Sequence, residues 1–112
     1  MEVSIFDKKL AKRLKDPSET VKAFGMQIAK RIHQRLQEFE TAKNLEEIRS
    51  LPAANCHELK GKKTDFFLAV DISSNYRLII KPTKEPPPLK EDGGLDWSKV
   101  TEILILKVED YH

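Results

Sequence analysis

Cys56 is the only cysteine in this 112-residue chain, so no internal disulfide can form. Three histidines and one cysteine are also too few for an ordinary Cys/His zinc site. No stretch approaches the roughly 18 consecutive apolar residues that span a bilayer. Met1 to Asp7 lacks the basic-then-apolar order of a secretion signal. A reducing cytoplasm and no membrane are therefore expected. No internal repeat is visible, which argues against a solenoid. A strong charge of one sign is also missing. The 20 basic and 18 acidic side chains leave +2, which alone does not mark a nucleic-acid binder.

What is present suits one domain spanning 1–112 with one modest core: 39% of residues are hydrophobic and 34% charged. The charge is unevenly spread. Residues 1–63 carry 14 basic and 9 acidic side chains, net +5, and residues 64–112 carry 6 and 9, net −3. Lys8, Lys9, Lys12, Arg13 and Lys15 form one basic cluster, and Lys60, Lys62 and Lys63 a second. Either can meet phosphate, but on charge alone a solvated helix face and a turn are the commoner explanation.

The pattern predicts a strand over 2–6 and a short basic helix over 7–15. Asp16-Pro17-Ser18-Glu19 then starts a long helix, with a capping residue, a proline at the first helical position and a glutamate three after the cap. Val21, Phe24, Ile28, Ile32, Leu36 and Phe39 give it one continuous apolar stripe to about residue 41. Lys22, Lys30, Arg31, Gln34 and Arg35 fall mostly off the stripe. Asn44 caps a further short helix. From residue 55 the period becomes two: a strand over 57–60, a hairpin over 66–81 turning at 73–75, and a last strand over 101–108. Ile103 to Leu106 are apolar on both faces, as expected of a central, doubly covered strand. Residues 82–99 hold Pro86-Pro87-Pro88 and Gly93-Gly94 and predict an exposed, mobile loop. Trp97 within it is either an interface anchor or, more commonly for such a residue, the ring that packs the loop back. Helices first and strands later imply an α+β domain, a mostly antiparallel four- to five-stranded sheet with the N-terminal helices packed on it.

Three motifs follow one another in the second half: His57-Glu58-Leu59-Lys60-Gly61, then Asn75-Tyr76-Arg77-Leu78, then Glu109-Asp110-Tyr111-His112 at the end of the sequence. In this order the chain resembles the HigB branch of the RelE-type toxins of bacterial type II toxin–antitoxin pairs. The resemblance covers 55–81 and 100–112, and the N-terminal helices fit it as a pattern. It implies a RelE-like fold and a metal-independent endoribonuclease, an mRNA interferase that cuts mRNA in the ribosomal decoding site and needs no cofactor. It also implies a cognate HigA-like antitoxin with a helix-turn-helix. His57, Asp110, Tyr111 and His112 match the family's catalytic positions, and Lys60 and Arg77 match basic positions near the scissile phosphate.

The residue types suit that reaction. Cleavage needs a base for the 2′-OH, an acid for the leaving 5′-oxygen and cations for the charge growing on the phosphoryl oxygens. Histidine can serve as either acid or base near neutral pH, which suits His57 and His112. Arg77 offers a planar fork of donors and Lys60 a point charge. Tyr111 can stack on a base or orient the 2′-OH, and Asp110 can fix a histidine tautomer or receive a proton. In an unbroken strand Asp110 and His112 face one way and Tyr111 the other, so a bend or bulge near Glu109 is needed to gather all three. Singly, each residue has an ordinary structural explanation. Two other readings stay open: a toxin of the same fold that inhibits DNA gyrase and leaves the histidines unused, and a non-catalytic module docking through Trp97 and the proline-rich loop.

Overall fold

Asp7 and Asp16 begin the first two helices in the same way. Each turns a carboxylate onto an amide of the first turn, Asp7 onto Leu10 at 2.7 Å and Asp16 onto Ser18 at 3.0 Å. In the computed structural model, which describes residues 1–60 and 66–110, they open α1 (Lys8–Lys15) and α2 (Pro17–Phe24). A strand precedes them, β1 (Glu2–Ile5), and two helices follow, α3 (Met26–Thr41) and α4 (Leu45–Arg49). Then come β2 (His57–Glu58), β3 (Leu68–Asp71), β4 (Tyr76–Pro82) and β5 (Glu102–Asp110). The strands form one open sheet in the order β1-β5-β4-β3-β2. Only β1 and β5 run parallel, and the other pairs are antiparallel. This is the expected α+β architecture, compatible with a RelE-like fold. No helix among the described residues is long and apolar enough to cross a membrane.

The helix predicted from 16 to 41 is two helices. Gly25 stands between them at φ 85°, ψ 163°, a conformation open in practice only to glycine. It closes α2 by donating to Val21 O at 2.8 Å and opens α3 by accepting from Ala29 at 2.9 Å. The apolar spacing runs on through the break, so periodicity alone could not reveal it. Thr20, fully buried, ties the corner: its hydroxyl bonds the Arg13 and Asp16 carbonyls and lies 3.2 Å from His33 Nε2.

Leu14, Ile32, Phe39, Leu45 and Ile48 from the helices meet Leu68, Val70, Leu78, Ile80, Ile103 and Ile105 from the sheet, all of them fully buried. Each such side chain is worth about 1.5–3 kcal/mol in water-excluded surface. Arg35, expected off the stripe, is also buried, at 3% exposure. Its guanidinium is consumed by three bonds: Nε to Asp71 O at 2.7 Å, Nη1 to Glu38 at 3.0 Å and Nη2 to Ala53 O at 3.1 Å.

Two further expectations change. β5 lies inside the sheet, but the helices cover one face only. Ile103 and Ile105 join the core, whereas Leu104, on the opposite face, and Leu106 are only half-buried and stand outside it. The segment 82–99 is not uniformly exposed. Leu95 and Trp97 are buried, Leu89 bridges to Leu95, and residues 97–99 form a 3-10 turn. Trp97 packs the segment back: its indole N–H donates to Glu58 at 3.0 Å, and the Arg49 guanidinium lies 3.8 Å from its ring centroid. Phe66, assigned by pattern to a strand face, precedes β3 with φ 60°.

Candidate functional site

Strand alternation and register define the face that the helices leave uncovered. Leu68, Val70, Leu78, Ile80 and Val108 point to the helices, so Ala69, Asp71, Arg77, Ile79, Lys81, Lys107 and Glu109 point away. His57 stands opposite Ala69 and shares that face. Arg77 lies two strands over and two residues along, about 12 Å from His57 between Cα atoms by ordinary sheet spacing.

His57 is exposed, and its ring is held from one side. Nδ1 lies 2.8 Å from Asn55 O. A carbonyl oxygen can only accept, so Nδ1 carries the proton and Nε2 of the neutral ring is left as acceptor. Asn55 is itself fixed. It takes a left-handed conformation, φ 44°, ψ 48°, which asparagine tolerates better than most residues. Its amide donates to Asp71 Oδ2 at 3.1 Å. Asp71 O in turn accepts from Arg35, so a continuous path of bonds runs from the helix layer to the histidine. Sequence reasoning did not single out Asn55, Asp71 or Arg35 for this role. Neither a left-handed asparagine nor a buried arginine has a sequence signature.

Arg77 pairs with Glu109 across β4 and β5 at 3.1 Å, both side chains about three-quarters buried. Lys60 is exposed, two residues beyond β2. Asp110 stands opposite Tyr76, which packs against the core and meets Phe24 edge-on at 6.3 Å. Asp110 therefore lies on the helix side of the sheet, away from Arg77 and His57. β5 does contain a bulge, but at Leu106: Ile79 pairs with Lys107 and Ile80 with Ile105. Residues 107–110 run in unbroken register, so no bend near Glu109 turns Asp110 round. Tyr111 and His112 lie outside the described residues, as do Lys62 and Lys63. The structure thus brings His57 and Arg77 to one face and leaves Asp110 on the other.

Cys56, next to His57, is no nucleophile at neutral pH, because burial pushes its thiol up to about 12. Among the described residues no three His, Cys, Asp or Glu side chains are grouped to hold a metal. A cleft of about 490 Å³ lies elsewhere, between α3 and α4, lined by Gln34, Glu38, Ala42, Ile48 and Leu51 among others. No protein-family model matches the chain, and no curated protein matches it.

Proposed function

We propose that the protein is a RelE-type toxin of the HigB branch, a ribosome-dependent endoribonuclease that cuts mRNA without a metal and acts in the cytoplasm. The observation that carries this reading is the 2.8 Å contact between His57 Nδ1 and Asn55 O. The Nδ1–H is anchored on Asn55 O, which leaves Nε2 of the neutral ring as an acceptor at the exposed edge of the sheet face that also holds Arg77. That is the state a general base needs. Nε2 takes the proton of a 2′-OH, the oxygen attacks the adjacent phosphorus, and the 5′-oxygen leaves with a proton from the acid. The resemblance assigns the acid to His112 and a stacking or orienting ring to Tyr111. Arg77 and Lys60 stabilise the phosphoryl oxygens, and the phosphate competes with Glu109 for the Arg77 guanidinium. Asp110 enters only through the resemblance. A HigA-like helix-turn-helix antitoxin is the proposed partner.

The test is a primer-extension map of mRNA ends after brief induction of the wild type, His57→Ala and a chain ending at Tyr111. His57 is exposed, so its replacement leaves the core intact. Cuts at the decoding site in the wild type, lost in both folded variants, are expected. Growth arrest without cuts points instead to a gyrase-directed toxin. Neither arrest nor cuts from a folded protein points to a non-catalytic module.

A further inference from the structure

His57 stands opposite Ala69 in an antiparallel pair, so the same register would set Asn55 opposite Asp71. The ladder does not reach that far. Asn55 turns left-handed, at φ 44° and ψ 48°, and β2 begins only at His57. A side-chain bond takes the place of the missing rung, from the Asn55 amide to Asp71 Oδ2 at 3.1 Å. The backbone N–H of Asn55 donates to Pro52 O at 3.2 Å, and its carbonyl faces His57 Nδ1 at 2.8 Å. The residue that holds the histidine is thus held in turn from both its backbone and its side chain.

Asp71 is the firmer end of that bond. It lies within β3, its carbonyl accepts from the buried Arg35, and Arg77 stands opposite it on β4. Arg35 also holds Ala53 O, so one guanidinium fixes the backbone on both sides of the Asn55–Asp71 bond. The consequence is chemical. An exposed neutral imidazole populates two tautomers, and only the one with its proton on Nδ1 leaves Nε2 able to take another. A carbonyl fixed beside Nδ1 selects that tautomer. A hydrogen bond of ordinary net strength shifts such a ratio by about 2- to 10-fold.

We propose that Asp71 is a positioning residue: through Asn55 it holds His57 in the tautomer that a general base requires. Its part in the reaction rests on the endoribonuclease reading, and the test keeps the two apart. Full-length wild type, Asp71→Ala, Asp71→Asn and Asn55→Gly are compared, with His57→Ala to identify the His57 signals. Glycine adopts the left-handed turn without strain, and Asp71→Ala leaves in place the carbonyl that Arg35 holds. Long-range proton–nitrogen correlation spectra at the alkaline end of a titration give the tautomer ratio of His57. Cleavage of a defined mRNA on programmed ribosomes gives kcat and KM.

The wild type is expected to carry the proton mainly on Nδ1. Asp71→Ala and Asn55→Gly should raise the share of the Nε2–H form and lower kcat by about 2- to 10-fold, with KM unchanged in Asn55→Gly. Asp71→Asn keeps an acceptor for the Asn55 amide and should restore both the ratio and the rate. It removes the same charge as Asp71→Ala, so the two variants separate the bond from the field of a carboxylate opposite Arg77. A tautomer ratio that does not move in Asp71→Ala or Asn55→Gly overturns the positioning role, whatever the rates do. Equal losses in Asp71→Asn and Asp71→Ala also overturn it and assign the effect to charge. A ratio that moves as expected in a protein that leaves the mRNA intact upholds the hold on His57 and sinks the endoribonuclease alone.

Discussion

Arg35→Met separates a buried arginine that holds the fold from one that merely tolerates burial. Methionine keeps most of the apolar stem and removes the guanidinium. Two backbone carbonyls, Asp71 O and Ala53 O, then lose their donor, and the Glu38 carboxylate loses its cation. Deleting one member of a buried ion pair costs about 3–5 kcal/mol when the other is left without compensation. Glu38 keeps 23% of its exposure and can rehydrate, and both carbonyls are only partly buried. The expected loss is therefore near the bottom of that range, about 3 kcal/mol, mostly from the orphaned carbonyls.

For a domain of this size that is about 12 °C in Tm. Urea unfolding should show a midpoint lower by about 1–3 M with an unchanged slope. Glu38→Gln, which leaves both carbonyl bonds in place, should cost less than about 1 kcal/mol. A loss below about 1 kcal/mol in Arg35→Met, or equal losses in the two variants, would refute the reasoning, because the carbonyl bonds would then carry little of the energy.

Gly25→Ala should cost about 1–3 kcal/mol in the same assay, all of it backbone strain. A Cβ there meets nothing within 4 Å, so a neutral result would mean that the α2–α3 corner relaxes. Cys56 should resist thiol reagents in the native state at pH 8 and react at the ordinary rate in urea, since burial raises its pKa from 9.0 to about 12. The same shift makes the native state lose stability as pH climbs through 9 toward 12, and Cys56→Ala should flatten that alkaline limb. Glu109→Gln should weaken the hold on Arg77 at a cost of under about 1 kcal/mol. On the proposed reading it raises affinity for ribosome-bound mRNA, and an unchanged affinity would remove Arg77 from the phosphate site.

Strands and caps were legible because their signals are local. Asp16-Pro17, Asn44 and the period-two runs over 66–81 and 101–108 each fix their own conformation, and the structure has an element at each. The break at Gly25 was not legible, because one glycine beside a continuous stripe fits a straight helix as well as a corner. Burial of Arg35 was hidden for a related reason: a cation between apolar residues reads as a helix flank until β3 and the 3-10 turn at 52–54 bring carbonyls to it. Trp97 had two ordinary readings, and Glu58 and Arg49 decide for packing. At the candidate site, His57 and Arg77 were found from sequence, while the groups that orient them, Asn55, Asp71 and Glu109, carry no local mark.

The bulge at Leu106 explains the run Ile103-Leu104-Ile105-Leu106-Lys107-Val108 better than double coverage does. In an unbroken strand Ile103 and Ile105 facing the helices would bring Lys107 inward and turn Val108 out, burying an ammonium with no partner. One inserted residue shifts the parity, so Val108 joins the core and Lys107 and Glu109 turn to the uncovered face. Leu106 is the residue left without a partner on β4, and it stays half-buried outside the core cluster. The same shift puts Glu109 within reach of Arg77 and leaves Asp110 beside Tyr76. A single irregularity in β5 thus assigns charge to one face and core to the other, and sets which end-of-strand residues stand beside His57.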